Sequence, residues 1–137
     1  HEVKKEVFMF NFDHILNQVV FDISKADFQS VFLSNTDLKH LYKIDIFEDL
    51  LIQGVKRNIE GKEVFFLAIT NIVLKEKFRG QHFLSQLMEL LEEKELPLFI
   101  DDIINHRLFS FFQKRGYSNM KYKSSYGWKR CMYKIPV

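Results

Sequence analysis

Residues 64–93, VFFLAITNIVLKEKFRGQHFLSQLMELLEE, place an apolar run, a short basic turn and an amphipathic run in direct succession. From Val64 to about Leu74 the run is apolar on both faces except at Thr70 and Asn71, the pattern of a strand buried inside a sheet. After the turn, Phe83, Leu84, Leu87 and Leu91 fall on one helical stripe, with Gln86, Glu89 and Glu93 outside it. Between the two lie Arg79 and Gly80. A strand that feeds a turn and then a helix aims unpaired backbone N–H groups, and the positive end of the helix dipole, at one place, which suits an anionic phosphate.

The rest of the chain is read as support for that junction. With 137 residues, 47% of them hydrophobic, and only five Gly and two Pro, one globular domain spanning 1–137 is expected, with the fifteen Phe mostly in its core. Glu6–Asp13 and Gln18–Ile23 read as strands joined by a hairpin loop. Ser24 and Asp27 have capping-box spacing before a helical run to about Leu33, and Asn35 or Thr36 caps a second short helix. Asp45 opens a third helical run carrying Phe47, Leu50, Leu51 and Val55, and Gly61 marks a turn before the long strand. Downstream, a short strand from Pro97 to Ile100 ends in Asp101 and Asp102. Asn105 caps a helix with Leu108, Phe111 and Phe112 inward and Gly116 just past its end. Tyr117–Tyr122 and Trp128–Ile135 close the chain as strands.

Charge divides the sequence unevenly. All 18 acidic residues fall in 1–102, whereas 103–137 carries eight Lys/Arg and no acid. That asymmetry points to an anionic partner, either a phosphorylated cofactor or nucleic acid, or else to a solvated basic face. The aromatics interleaved there could stack on bases, although Tyr117, Trp128 and Tyr133 are read as core. The single cysteine, Cys131, excludes an internal disulfide and reads as a core residue. Five histidines without i,i+4 pairing or cysteine companions argue against zinc, and no metal site is expected. No signal-peptide-like or ~20-residue apolar span is present, so the expectation is a soluble cytoplasmic protein with no membrane partner.

Two pieces together resemble the GNAT superfamily of acyl-CoA N-acyltransferases. Phe78-Arg79-Gly80-Gln81 looks like its pyrophosphate-binding turn, and Asn105 to Tyr117 follows its run of Asn, aromatic pair, Lys and Gly-aromatic without gaps. The resemblance covers about 55 residues. It implies an α/β fold, a single GNAT-like domain with a mixed central sheet of about six to seven strands and helices on both faces. It also implies acetyl-CoA, or another acyl-CoA, as donor to the amine of a small molecule or protein. The pantetheine arm would lie where the long strand, at Val73 and Leu74, splays from the strand ending at Asp101. The pyrophosphate would sit on N–H groups of Arg79, Gly80, Gln81, His82, Phe83 and Leu84, with Asn105 and Phe112 facing the cofactor arm. Asp101 and Asp102 are the first candidates for a base, or else a carboxylate pair at a helix entry. Tyr117, Tyr122 or Tyr126 could supply an acid.

The chain departs from the family pattern in two places. His82 and Leu84 stand where the turn has glycine-type residues, and Phe112 stands where the family commonly has a Tyr thought to protonate the departing thiolate. A GNAT fold that has lost catalysis and serves as a binding or regulatory module is therefore the alternative, as is an acyltransferase acting on a nucleic-acid-linked amine.

Overall fold

In the computed structural model, residues 2–103 and 105–137 are described, with the side chains of residues 2–13, 28, 122 and 124 excepted. The chain opens with one helix, α1 (Glu2–Lys25), not the two strands expected from Glu6–Asp13 and Gln18–Ile23. The reason lies in its buried side chains: Leu16, Val19, Val20 and Ile23 repeat at helical spacing and are each at most 2% exposed. Burial of that stripe, at about 1.5–3 kcal/mol per large apolar side chain, outweighs the β propensity of Val and Phe.

A second expected helix also gives way. Residues 28–30 form one 3-10 turn, and β1 (Phe32–Ser34) pairs antiparallel with β2 (Phe47–Ile59). Between them, α2 (Asn35–Tyr42) starts in a capping box, with Ser34 as the cap: Asp37 N donates to Ser34 Oγ, and Ser34 N donates to the Asp37 carboxylate. The helical run expected from Asp45 is instead β2 itself. Its pairing with β3 (Lys62–Leu74) shifts register between Phe47 and Asp49 and again between Asp49 and Leu51. Those irregularities bring Phe47 and Leu50 to the same buried side, three residues apart, and so imitate a helical repeat.

From β3 onward the elements are as expected: α3 (Phe83–Glu93), β4 (Leu98–Asp101), α4 (His106–Lys114), β5 (Ser118–Ser124) and β6 (Gly127–Lys134). The architecture is mixed α/β, with one six-stranded sheet in the order β1-β2-β3-β4-β6-β5 and four helices. Among the described residues, only β3 and β4 run parallel, which is what the α3 crossover requires.

The helices are more one-sided than expected. Buried side chains of all four join a single cluster with Ile52, Leu67, Ile69, Leu98, Ile100 and Met132 of the sheet. The opposite face carries Phe66, Ala68, Phe99 and Cys131, all at 0% exposure, and the partly buried residues packed on them also come from strands and their ends. Among the described residues, no helix is long and apolar enough to cross a membrane.

Candidate functional site

The sheet opens at one level. β3 and β4 pair from Leu67↔Leu98 to Thr70↔Asp101, and the next residue on each strand has positive φ: Asn71 at 55° and Asp102 at 55°. Asn and Asp tolerate this left-handed conformation better than other residues with a Cβ. Asn71 is a bulge: three steps along β3, from Thr70 to Val73, face two along β2, from Leu51 to Asp49. It also resets the side-chain alternation, so that Ile72 and Leu74 face the helix-side core as Leu67 and Ile69 do. Past the bulge, Val73 and Leu74 pair only on the β2 side. The chain after Asp102 turns toward β6, where Ile103 N donates to Arg130 O. The two parallel strands thus part at Thr70 and Asp101.

The turn into α3 lies directly beyond the released end of β3. Gly80 has φ 74° and no atom within 4 Å of where a Cβ would stand. His82 occupies the N-cap of α3 at φ 63°, and its side chain makes no capping bond. The first N–H groups of α3 therefore receive no help from the cap residue. Phe83 and Leu84 point into the core at 1% and 8% exposure, so at these positions only backbone faces the turn. The Arg79 guanidinium is folded back, its Nε donating to Leu74 O at 3.1 Å, and Gln81 Nε2 donates to Lys77 O at 2.8 Å. Both side chains tie the turn to the strand end and the segment before it.

Asp101 accepts a hydrogen bond from the Cys131 thiol at 3.3 Å. Burial pushes that thiol up to about 12, so Cys131 is a protonated donor rather than a nucleophile. The positive φ of Asp102 gives it a backbone task at the opening. Asn105 caps α4, its Oδ1 accepting from Arg107 N at 2.8 Å and Leu108 N at 3.4 Å. Only its amide Nδ2 is left for a ligand.

Two expected site residues lie elsewhere. Phe112 is 0% exposed, packed edge-on against Phe111 and Tyr117. Tyr117 donates to Glu92 Oε2 at 2.8 Å near the far end of α3, about 14 Å along the helix from the turn at ~1.5 Å per residue. Burial first, then the Glu92 carboxylate, pushes the Tyr117 phenol well above its ordinary value. It is neither near the opening nor able to give up its proton readily. Tyr126, at the tip of the β5–β6 hairpin, is 95% exposed, and the side chain of Tyr122 lies outside the described residues. From the sequence, Asp102 is a candidate base and Asn71, with Thr70, either bonds substrate or bridges a bulge; the structure shows the bulge at Asn71 and adds that Asn71 and Asp102 match across the opening at positive φ. Among the described residues, no three His, Cys, Asp or Glu side chains gather as a metal site.

Neither a protein-family model nor a characterised protein sequence matches the chain. Among solved structures it is similar to one described as a "putative acetyltransferase" from Agrobacterium tumefaciens, at 13% identity and a TM-score of 0.38 over 72% of this chain and 80% of that one.

Proposed function

We propose that the protein is an N-acyltransferase that moves an acetyl or other short acyl group from acyl-CoA to a primary amine. The parting of β3 and β4 at Thr70↔Asp101, with Asn71 and Asp102 both at positive φ, carries this reading. It leaves strand backbone at Val73 and Leu74 to bond an extended arm, beside a helix start that suits a pyrophosphate. An open Gly80 and an uncapped α3 fit that group, with N–H groups from Arg79 to Leu84 as the holders. When bound, acyl-CoA would supply an acyl group activated as a thioester: the N–C bond forms, the C–S bond breaks, the amine nitrogen gives its protons to Asp101 and solvent, and the sulfur leaves as a thiolate that solvent protonates.

The chain's own residues have three tasks. Released N–H groups of β3 stabilise negative charge on the carbonyl oxygen without reorganising. Asp101, held by the Cys131 thiol, takes the proton from the attacking ammonium, a role typically contributing about 10²–10⁴-fold. Phe112 has no hydroxyl and Tyr117 is buried and bonded to Glu92, so neither supplies an acid and the thiolate departs unaided. A phenylalanine at 112, together with His82 and Leu84 in the turn, favours one second reading, a module that binds acyl-CoA without turning it over.

Calorimetry with acetyl-CoA tests the proposal. Micromolar to sub-millimolar binding is expected, weakened about tenfold in Gly80→Val, since a β-branched residue at that φ costs on the order of 1–3 kcal/mol. Absence of heat at millimolar acetyl-CoA overturns it. With an accepted amine, Asp101→Asn should lower kcat by about 10²-fold or more and leave acetyl-CoA binding intact. Binding without turnover on any amine selects the second reading.

A further inference from the structure

The acid-free segment 103–137 builds a feature that acyl transfer does not use. β4 pairs with β6 only from Leu98↔Lys134 to Ile100↔Met132, whereas β5 and β6 stay paired to Ser124↔Gly127. After β4, Ile103 N still holds β6 at Arg130 O, and beyond Arg130 the hairpin runs on as a two-stranded ribbon, with β5 as an edge of the sheet. Cross-strand partners Lys121↔Arg130 and Lys123↔Trp128 are two residues apart on each strand, so all four side chains share one face. It is the same face on which Met132 enters the helix-side core.

Several observations give that face one chemistry. Trp128 is 70% exposed, against the expectation that it would be core. Lys121, Trp128, Lys129 and Arg130 line a shallow groove of about 370 Å³. The Arg130 guanidinium lies over the Phe109 ring of α4, 4.7 Å from its centroid, which braces its plane while leaving its N–H edges usable. Among the described residues, none of the four ion pairs draws on these cations.

We propose that this ribbon face binds single-stranded nucleic acid, with a base stacked on Trp128 and backbone phosphates on Lys121, Lys123 and Arg130. Same-face residues along a strand are ~7 Å apart, so Arg130 follows the indole along β6 while Lys123 and Lys121 face the pair from β5, a stacking platform at the tip end of a short positive track. An acidic peptide would use the cations but not the exposed ring. A membrane would call for apolar residues at the hairpin tip, where the chain has Ser124, Ser125, Tyr126 and Gly127. A duplex hides its base faces from the indole. The inference stands apart from the acyltransferase reading and does not need it.

Trp128 is the sole tryptophan, so its fluorescence reports the site directly. Titration with twelve-residue oligo-dT and oligo-U should quench it, the better of the two identifying the natural sugar. The slope of log affinity on log salt should be about −2 for three neutralised phosphates, roughly a sixteenfold loss between 50 and 200 mM salt. By anisotropy of a labelled strand, Trp128→Ala should bind roughly 5- to 100-fold more weakly with its salt slope kept. Lys121→Gln with Arg130→Gln should instead flatten the slope by about 1. All three positions are on the surface, and thermal melts check that the variants fold. Should one fail, the quench and salt slope of the intact protein decide. A flat salt response, unchanged binding by Trp128→Ala, equal binding of poly-glutamate, or preference for phosphatidylserine vesicles overturns the proposal.

Discussion

At the C-terminal end of α3, Glu92 gathers its neighbours into a closed network. Arg115 donates to it through Nε at 3.1 Å and again through Nη2, and Tyr117 donates at 2.8 Å. Lys134 seals the far side by donating to Arg115 O at 2.9 Å, its charge over the Tyr117 ring. At the N-terminal end of the same helix there is no such closure. His82 caps nothing with its side chain, and the strand beside it has lost its parallel partner. One end has its polar groups matched inside the protein, where an unmatched group would cost about 1–3 kcal/mol. The other leaves groups whose partners must come from water or a ligand. Stability and binding are thus separated along one helix, and substitutions at its two ends should separate in the same way.

The largest effect belongs to the closed end. Glu92→Ala leaves a partly buried guanidinium and a buried phenol without their acceptor, and should cost about 2–3 kcal/mol, or roughly 8–12 °C in Tm for a domain of this size. Acetyl-CoA affinity should stay as it was, and a parallel loss of binding would break the comparison. The pH response follows from the same network. Burial alone would raise the Glu92 pKa, but the bonds from Arg115 and Tyr117 outweigh it and hold the carboxyl below its ordinary 4.5. Its contribution is therefore complete above that pH and is lost as the pH falls through the lower folded value. Thermal melts from pH 7 downward should show this loss in the intact protein, and the Glu92→Ala variant should lack that part of it.

Phe112→Tyr comes next. The family resemblance suggests that it would restore an acid, whereas the structure places the ring at 0% exposure against Tyr117. A hydroxyl added there has no space and no water, so the expected outcome is a loss of about 1–3 kcal/mol and no gain in rate. Faster turnover with unchanged stability would mean that the ring reaches the strand opening, and would redraw the boundary between the two ends.

The sequence was readable where one physical signal dominated. The half from Lys62 onward declares itself because strand, helix and cap signals agree: Asn105 caps, Gly116 follows the last turn, and Leu87 and Leu91 line one stripe. The first half misleads because tertiary pairing overrides local pattern. β2 reads as a helix only because its register shifts put Phe47 and Leu50 on one side, and α1 reads as strands because Val and Phe, residues of high β propensity, crowd its sequence. The candidate site divides similarly. Gly80 and the turn are visible as residue types. The matching of Asn71 to Asp102 depends on a strand pairing between residues 31 apart, which no local window contains. The assignment of Tyr117 to Glu92 is hidden for the same reason.

The smallest effect probes the open end alone. His82 sits at φ 63° with no capping bond to offset the strain, and a left-handed residue with a Cβ costs on the order of 1 kcal/mol. His82→Gly removes that cost while making the unfolded chain more flexible. The net expectation is a gain of about 0.5 kcal/mol, or ~2 °C in Tm, opposite in sign to the effect of Glu92→Ala. Glycine also lets the backbone draw closer to a phosphate, so acetyl-CoA affinity should rise by a small factor together with Tm. If Tm rises while binding does not, the strain is local and the turn holds no phosphate. If Tm falls, the imidazole stabilises the turn through its own packing, and the start of α3 is a finished structural cap like the end held by Glu92.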